Sequence, residues 1–237
     1  MPSTLSRSAE AYGVRLSPEQ LAQFDAYQSL LADWSQRMNL VGDATAEVVG
    51  RRHFVESIAL GAALREREIL RPESSVLDVG AGAGFPGVVL KIVWPAIRLS
   101  LLEATAKKTA FLSALLEALG FDETPVLTGR AETLGHRPDL RGQFDLVVAR
   151  AVAPLPALLE LTLPFARVGG RVVTPKGSRA AQELAGAARA LSVLGGKAFT
   201  APLAVPGPPQ VLVAVVKQRA TPAEYPRRPG LPAKTPL

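Results

Sequence analysis

Residues Val76-Leu77-Asp78-Val79-Gly80-Ala81-Gly82-Ala83-Gly84-Phe85-Pro86-Gly87 decide the fold. An apolar run with an acid near its end reads as a buried strand. Three glycines at alternate positions follow, and Pro86 opens a new apolar segment. Strand, glycine loop and helix start are the parts of a nucleotide-binding crossover. Glycine permits positive φ and leaves no Cβ between the main chain and a ligand.

The glycines fit two patterns. Gly82, Gly84 and Gly87 match G-x-G-x-x-G, the dinucleotide fingerprint, whereas Asp78, Gly80, Gly82 and Gly84 match the looser D-x-G-x-G-x-G of S-adenosylmethionine (SAM) enzymes. Pyrophosphate needs free N–H groups at a helix N-terminus. Pro86 has none, Phe85 crowds the approach, and Asp78 repels phosphate. The cationic amino and sulfonium groups of SAM suit a nearby carboxylate, which favours the second pattern.

Outward from the loop, the period of two alternates with helical spacing. Strands are expected at 75–79, 98–103, 125–128, 144–149, 171–174, 197–203 and 211–217. Helices are expected from Pro86 to about residue 93 and at 107–119, 155–165 and 179–194. This predicts a mostly parallel, doubly wound seven-stranded sheet closed by an antiparallel hairpin. Upstream, Ser17-Pro18-Glu19-Gln20 reads as a helix start. Leu21, Phe24, Tyr27, Leu30, Leu31 and Trp34 form its apolar stripe, with Trp34 in the core. A second helix starts near Ala46, and a short third covers 62–70. Residues 1–16 carry little pattern and are expected to fray. The division is therefore a helical extension at 1–72, a sheet domain at 73–220 and a basic, proline-rich tail at 221–237, whose composition by itself favours disorder.

The 237 residues include no cysteine and two histidines. Disulfides, thiolate zinc sites and cysteine nucleophiles are excluded, and no metal is expected. No apolar stretch is long enough for a membrane span, and the first residues lack a secretory signal, so a soluble cytoplasmic protein is expected. The net charge of +6 suits solubility and an anionic partner equally.

Ligands of open α/β sheets bind beyond the carboxyl ends of the strands. The second strand ends at Glu103, placed to accept from a ribose diol. The third is followed by Arg130-Ala131-Glu132, where SAM enzymes read adenine. The fourth ends at Arg150, where enzymes that methylate exocyclic amines carry Asp/Asn-Pro-Pro-Tyr. That tetrapeptide is missing, and so is the cysteine needed to methylate pyrimidine C5. A ring nitrogen with a free lone pair, such as guanine N7, needs neither, and proximity can supply most of the acceleration.

Five ordered motifs carry a resemblance: Trp34-Ser35-Gln36-Arg37-Met38-Asn39-Leu40, Arg52-His53-Phe54-Val55-Glu56-Ser57, Asp78 to Gly87, Ala149-Arg150-Ala151-Val152-Ala153-Pro154-Leu155, and Lys176-Gly177. With Tyr225-Pro226-Arg227-Arg228-Pro229-Gly230, they make the chain resemble the bacterial RsmG (GidB) family, which methylates guanine N7 in 16S ribosomal RNA. The resemblance implies a class I SAM-dependent methyltransferase fold, Rossmann-like, and a guanine of the 530 loop as target. It places Asp78, Gly80, Gly82, Phe85, Glu103, Ala104, Thr105, Ala131, Glu132 and Arg150 at the cofactor. Asn39, Arg52, His53, Lys176, Arg227 and Arg228 fall on the RNA side. The implied partner is 16S rRNA or a small-subunit particle, met by a monomer. Val41 and Glu56 stand where the family more often has Thr or Ser and Asp. A dinucleotide-dependent oxidoreductase and a non-catalytic SAM-binding RNA chaperone are the alternatives.

Overall fold

The computed structural model describes residues 2–42 and 45–237. Its centre is one seven-stranded sheet in the order β3-β2-β1-β4-β5-β7-β6. The strands are β1 (Ser75–Val79), β2 (Arg98–Glu103), β3 (Val126–Thr128), β4 (Phe144–Val148), β5 (Ala166–Lys176), β6 (Gly196–Leu203) and β7 (Gln210–Lys217). From β3 through β5 neighbours run parallel, and β7 pairs antiparallel with both β5 and β6. Strand order reverses between β1 and β4, where a ligand crevice opens in such sheets.

Alternate residues of each central strand enter opposite cores, as the period of two requires. Val76, Leu101 and Val148 join one cluster with the extension, while Leu77, Leu102 and Val147 join the other. On the first face lie α1 (Pro2–Glu10), α2 (Pro18–Ser35), α4 (Val55–Glu66), α5 (Gly87–Val93) and α6 (Ala106–Ala118). A short α3 (Ala46–Val48) and a π-helical stretch (Val49–Phe54) lead into α4. The second face carries α7 (Ala131–Leu134), α8 (Leu155–Thr162), α9 (Ala180–Gly186) and α10 (Ala188–Leu194). A last turn, α11, is Leu231–Lys234.

The helix start at Ser17 is a full capping box. Gln20 N–H donates to the Ser17 hydroxyl at 3.2 Å, and Ser17 N–H donates to Gln20 Oε1 at 2.9 Å. The Gln20 amide then donates to the carbonyls of Ile92 and Val93, docking α2 onto the end of α5. Trp34 is partly buried, edge-on to Phe111 with centroids 5.7 Å apart.

Several expectations need correction. The first residues form α1, because Leu5 and Ala9 find a core to enter. The separate helix at 62–70 does not exist; α4 runs on to Glu66. The helix at 179–194 is two, broken at Ala187, and β5 is longer than the apolar run predicted. Helix α7 was not foreseen. The tail is folded onto the second face, with Thr221, Pro226 and Pro232 buried. Proline content lowered the entropy lost in ordering that segment but said nothing of where it docks.

Candidate functional site

The glycine loop leaves β1 and is pinned at both ends. Gly80 and Ala81 donate N–H bonds to Leu102 O at 2.8 and 3.0 Å. Asp78, fully buried, accepts from Gly87 N–H at 2.8 Å. The glycines have different reasons to be there. A Cβ on Gly80 would stand 2.7 Å from Val152, and one on Gly84 2.6 Å from the Tyr27 hydroxyl. Gly82, at φ +56°, meets only Gly80 O at 3.7 Å, so its face is open to a ligand. Beside it Glu103 accepts from Gly82 N–H at 3.0 Å and from Thr105 N–H at 2.9 Å. Ala104 and Thr105 are exposed at the start of α6. The other Asp78 oxygen, Oδ1, is buried without a partner, and burial pushes the carboxyl up to about 7.

Gly87 N–H is thus spent on Asp78, and Pro86 has none to give. The start of α5 is unfit for pyrophosphate, and the dinucleotide alternative loses its binding element. Phe85 does not crowd the loop. Its ring is turned inward and stacks on Tyr27 at 5.2 Å and on His53 at 4.9 Å. Tyr27 in turn donates its hydroxyl to Ala83 O at 2.5 Å. The helical extension therefore holds the loop from beneath.

At the end of β4, Arg150 joins the extension to the loop. Its guanidinium donates to Glu56 Oε2 at 3.2 Å and to His53 Nδ1 at 2.9 Å, and it lies 5.2 Å from the Phe85 ring centroid. A guanidinium only donates, so Nδ1 of His53 accepts. Burial lowers the Arg150 pKa and raises that of Glu56, and their mutual attraction opposes both shifts. Gln210 donates to the other Glu56 oxygen at 3.3 Å. The following Ala151 sits at φ +56°, a strained angle for a non-glycine residue. Arg150, Glu56, His53 and Arg52 line one side of a cavity of about 860 Å³, opposite Lys176 and the Pro206–Gln210 turn.

The predicted residues are distributed unevenly. Asp78, Gly80, Gly82, Glu103 and Arg150 converge on the carboxyl ends of β1, β2 and β4. Ala131 and Glu132 follow β3, and both are buried. Arg52, His53 and Lys176 line the cavity, although Lys176 is tied to Glu183 at 2.8 Å and to Ala153 O. Asn39 is exposed and not among the residues lining it. Arg227 is corrected. Its guanidinium makes a two-pronged pair with the fully buried Glu160, at 2.6 to 3.1 Å, so it faces inward. Arg228 is exposed. Sequence reasoning missed Tyr27 and Gln210 as site residues. His53-x-x-Glu56 put two polar groups on one helical face, but nothing local marks Gln210. Among the described residues no group of three acidic or histidine side chains could hold a metal, and no helix is long and apolar enough to cross a membrane.

A family model described as rRNA small subunit methyltransferase G (GidB) matches residues 20–210. The chain belongs to this family. It is 42% identical to Ribosomal RNA small subunit methyltransferase G of Roseiflexus sp. (strain RS-1), over 98% of each chain. To the protein of the same name from Moorella thermoacetica it is 42% identical, over 95% of this chain and 93% of that one. Among solved structures, an O-methyltransferase from Bacillus cereus in complex with SAH superposes with a TM-score of 0.56 at 16% identity, covering 81% of this chain and 90% of that one. That likeness concerns the methyltransferase fold alone. The GidB match stops short of residues 221–237, which lie against the second face of the sheet.

Proposed function

We propose that the chain transfers the methyl group of S-adenosylmethionine to N7 of a guanine in the 530 loop of 16S rRNA, as a cytoplasmic monomer. The observation that carries this reading is the match, over nearly the whole chain, to rRNA methyltransferases of the small subunit. The residues present fit the cofactor. Gly82 offers an open backbone face, Asp78 Oδ1 is an orphaned buried acceptor beneath it, and Glu103 keeps lone pairs for a ribose diol after holding two N–H groups. Bound there, SAM supplies an electrophilic methyl group, which the N7 lone pair takes while the S–CH₃ electron pair stays on sulfur.

The protein's part is then positioning. Residues 73–220 hold cofactor and base, and 1–72 hold the loop. The cavity beside Arg150 is large enough for a base, and Arg52 and Arg228 carry charge toward phosphate. N7 has no proton to lose, so no general base is needed. This agrees with Glu56 and Nδ1 of His53 being engaged by Arg150.

The test is methyl transfer from labelled SAM to 16S rRNA, and to small-subunit particles, from a strain lacking the equivalent enzyme. The expected product is N7-methylguanine in the 530 loop. A methyl elsewhere discards the target, and no transfer to either substrate discards the activity.

A further inference from the structure

Helix α7 has four residues, far fewer than the ~12–15 an isolated helix needs. What holds it is the C-terminal segment 221–237. At the front of α7, Gly230 N–H donates to Glu132 Oε1 at 2.9 Å. At its back, Gly135 lies so close to Pro226 that a Cβ would stand 2.8 Å from the ring. His136 Nε2 is 2.7 Å from Pro226 O and must donate to it, since a carbonyl only accepts. Arg141 joins the two segments, donating to Gly135 O and to the carbonyls of Thr221, Pro222 and Tyr225 at 2.7 to 2.9 Å. The segment itself is anchored on α8 through Arg227 and Glu160. Tyr225 and Leu237 pack on the same apolar cluster as Ala131 and Leu134.

The placement of α7 gives this clamp a purpose. A SAM molecule whose ribose meets Glu103 at the end of β2 sends its base outward along the sheet. The next strand is β3, followed by Arg130 and α7.

We propose that residues 221–237 are a positioning strap that fixes α7 and thereby sets the adenine end of the cofactor site. The proposal rests on the cofactor reading above. The strap touches neither Asp78, Glu103 nor Arg150 in any hydrogen bond or ion pair among the described residues, so it acts on the adenine end alone.

Two variants of the full-length protein test it. Truncation after Arg228 keeps the Glu160 pair and removes the Gly230 donor. His136→Ala removes one surface hydrogen bond and serves if the truncated chain does not fold; His136→Gln restores a donor. Calorimetry gives the affinity for S-adenosylhomocysteine and for S-inosylhomocysteine, in which the adenine amino group is replaced by an oxo group. Amide exchange is read over residues 129–136 without ligand.

Truncation is expected to weaken S-adenosylhomocysteine binding about tenfold and to bring the ratio of the two affinities toward one, with faster exchange at 129–136. His136→Ala should do the same at about threefold, and His136→Gln should recover most of it. A general loss of stability would weaken both ligands equally and leave their ratio unchanged. If wild-type protein binds S-adenosylhomocysteine but the variants keep both affinities within twofold, the strap has no role in the site. If wild-type protein binds neither ligand, the cofactor reading fails and the proposal with it.

Discussion

Asp78 and Glu103 are buried acids one strand apart with opposite tasks. Asp78 pins Gly87, but its second oxygen is unpartnered and its carboxyl is raised by burial from 3.8 to about 7. The folded state therefore binds this proton more tightly than the unfolded chain does. Its contribution to stability is full below pH 4 and is lost as pH rises toward and through 7. Asp78→Asn keeps an oxygen for Gly87 N–H and removes the titration. Its melting temperature relative to wild type should climb between pH 4 and pH 7, by an amount on the order of 4 kcal/mol at full ionisation. A parallel pair of pH profiles would show that the carboxylate is not strained by burial. Glu103, in contrast, holds Gly82 and Thr105. Glu103→Ala should weaken S-adenosylhomocysteine binding by about 1.5–3 kcal/mol, read by calorimetry. Unchanged affinity would remove Glu103 from the ribose.

At the scale of elements, the glycine loop is built against the extension rather than free-standing. Helix α2 reaches it through Tyr27, and α4 packs directly on the end of α5. At that crossing a Cβ on Gly61 would be 1.9 Å from the Trp94 ring. Gly61→Ala gains helix propensity worth about 1 kcal/mol but overpacks a buried contact at a cost of about 1–3 kcal/mol. With contact this close, the second effect should win, and the melting temperature should fall by several degrees. An unchanged or higher value would mean that the two helices slide apart freely. The elements were legible in sequence wherever spacing carries the signal: the Ser17 capping box, the helix at Ala106–Ala118, the buried strand Phe144–Val148. They were misread where packing overrides spacing. Helix α1 is two turns with a weak pattern, rescued by Leu5 and Ala9; α7 is too short to show a period at all.

At the scale of the whole molecule, charge divides into two classes that composition could not separate. Arg227 is structural, and Arg227→Ala strands the buried Glu160 carboxylate, so it should lower stability by about 3–5 kcal/mol. Arg52 and Arg228 are exposed. Replacing both by Ala should leave the melting temperature nearly unchanged and flatten the log–log salt dependence of RNA binding by about one unit per lost phosphate contact. An unaltered slope would place RNA on another face. By itself the sequence determined the alternating elements, the sheet, the glycine loop with its acids, and through its ordered motifs the family, because these rest on neighbours a few residues apart. Only the tertiary structure decided which polar groups meet. Arg227 and Glu160 are 67 residues apart, Arg150 and His53 97, Gln210 and Glu56 154. No local pattern reports such a pairing; it follows from strand order and from which surfaces the core forces together.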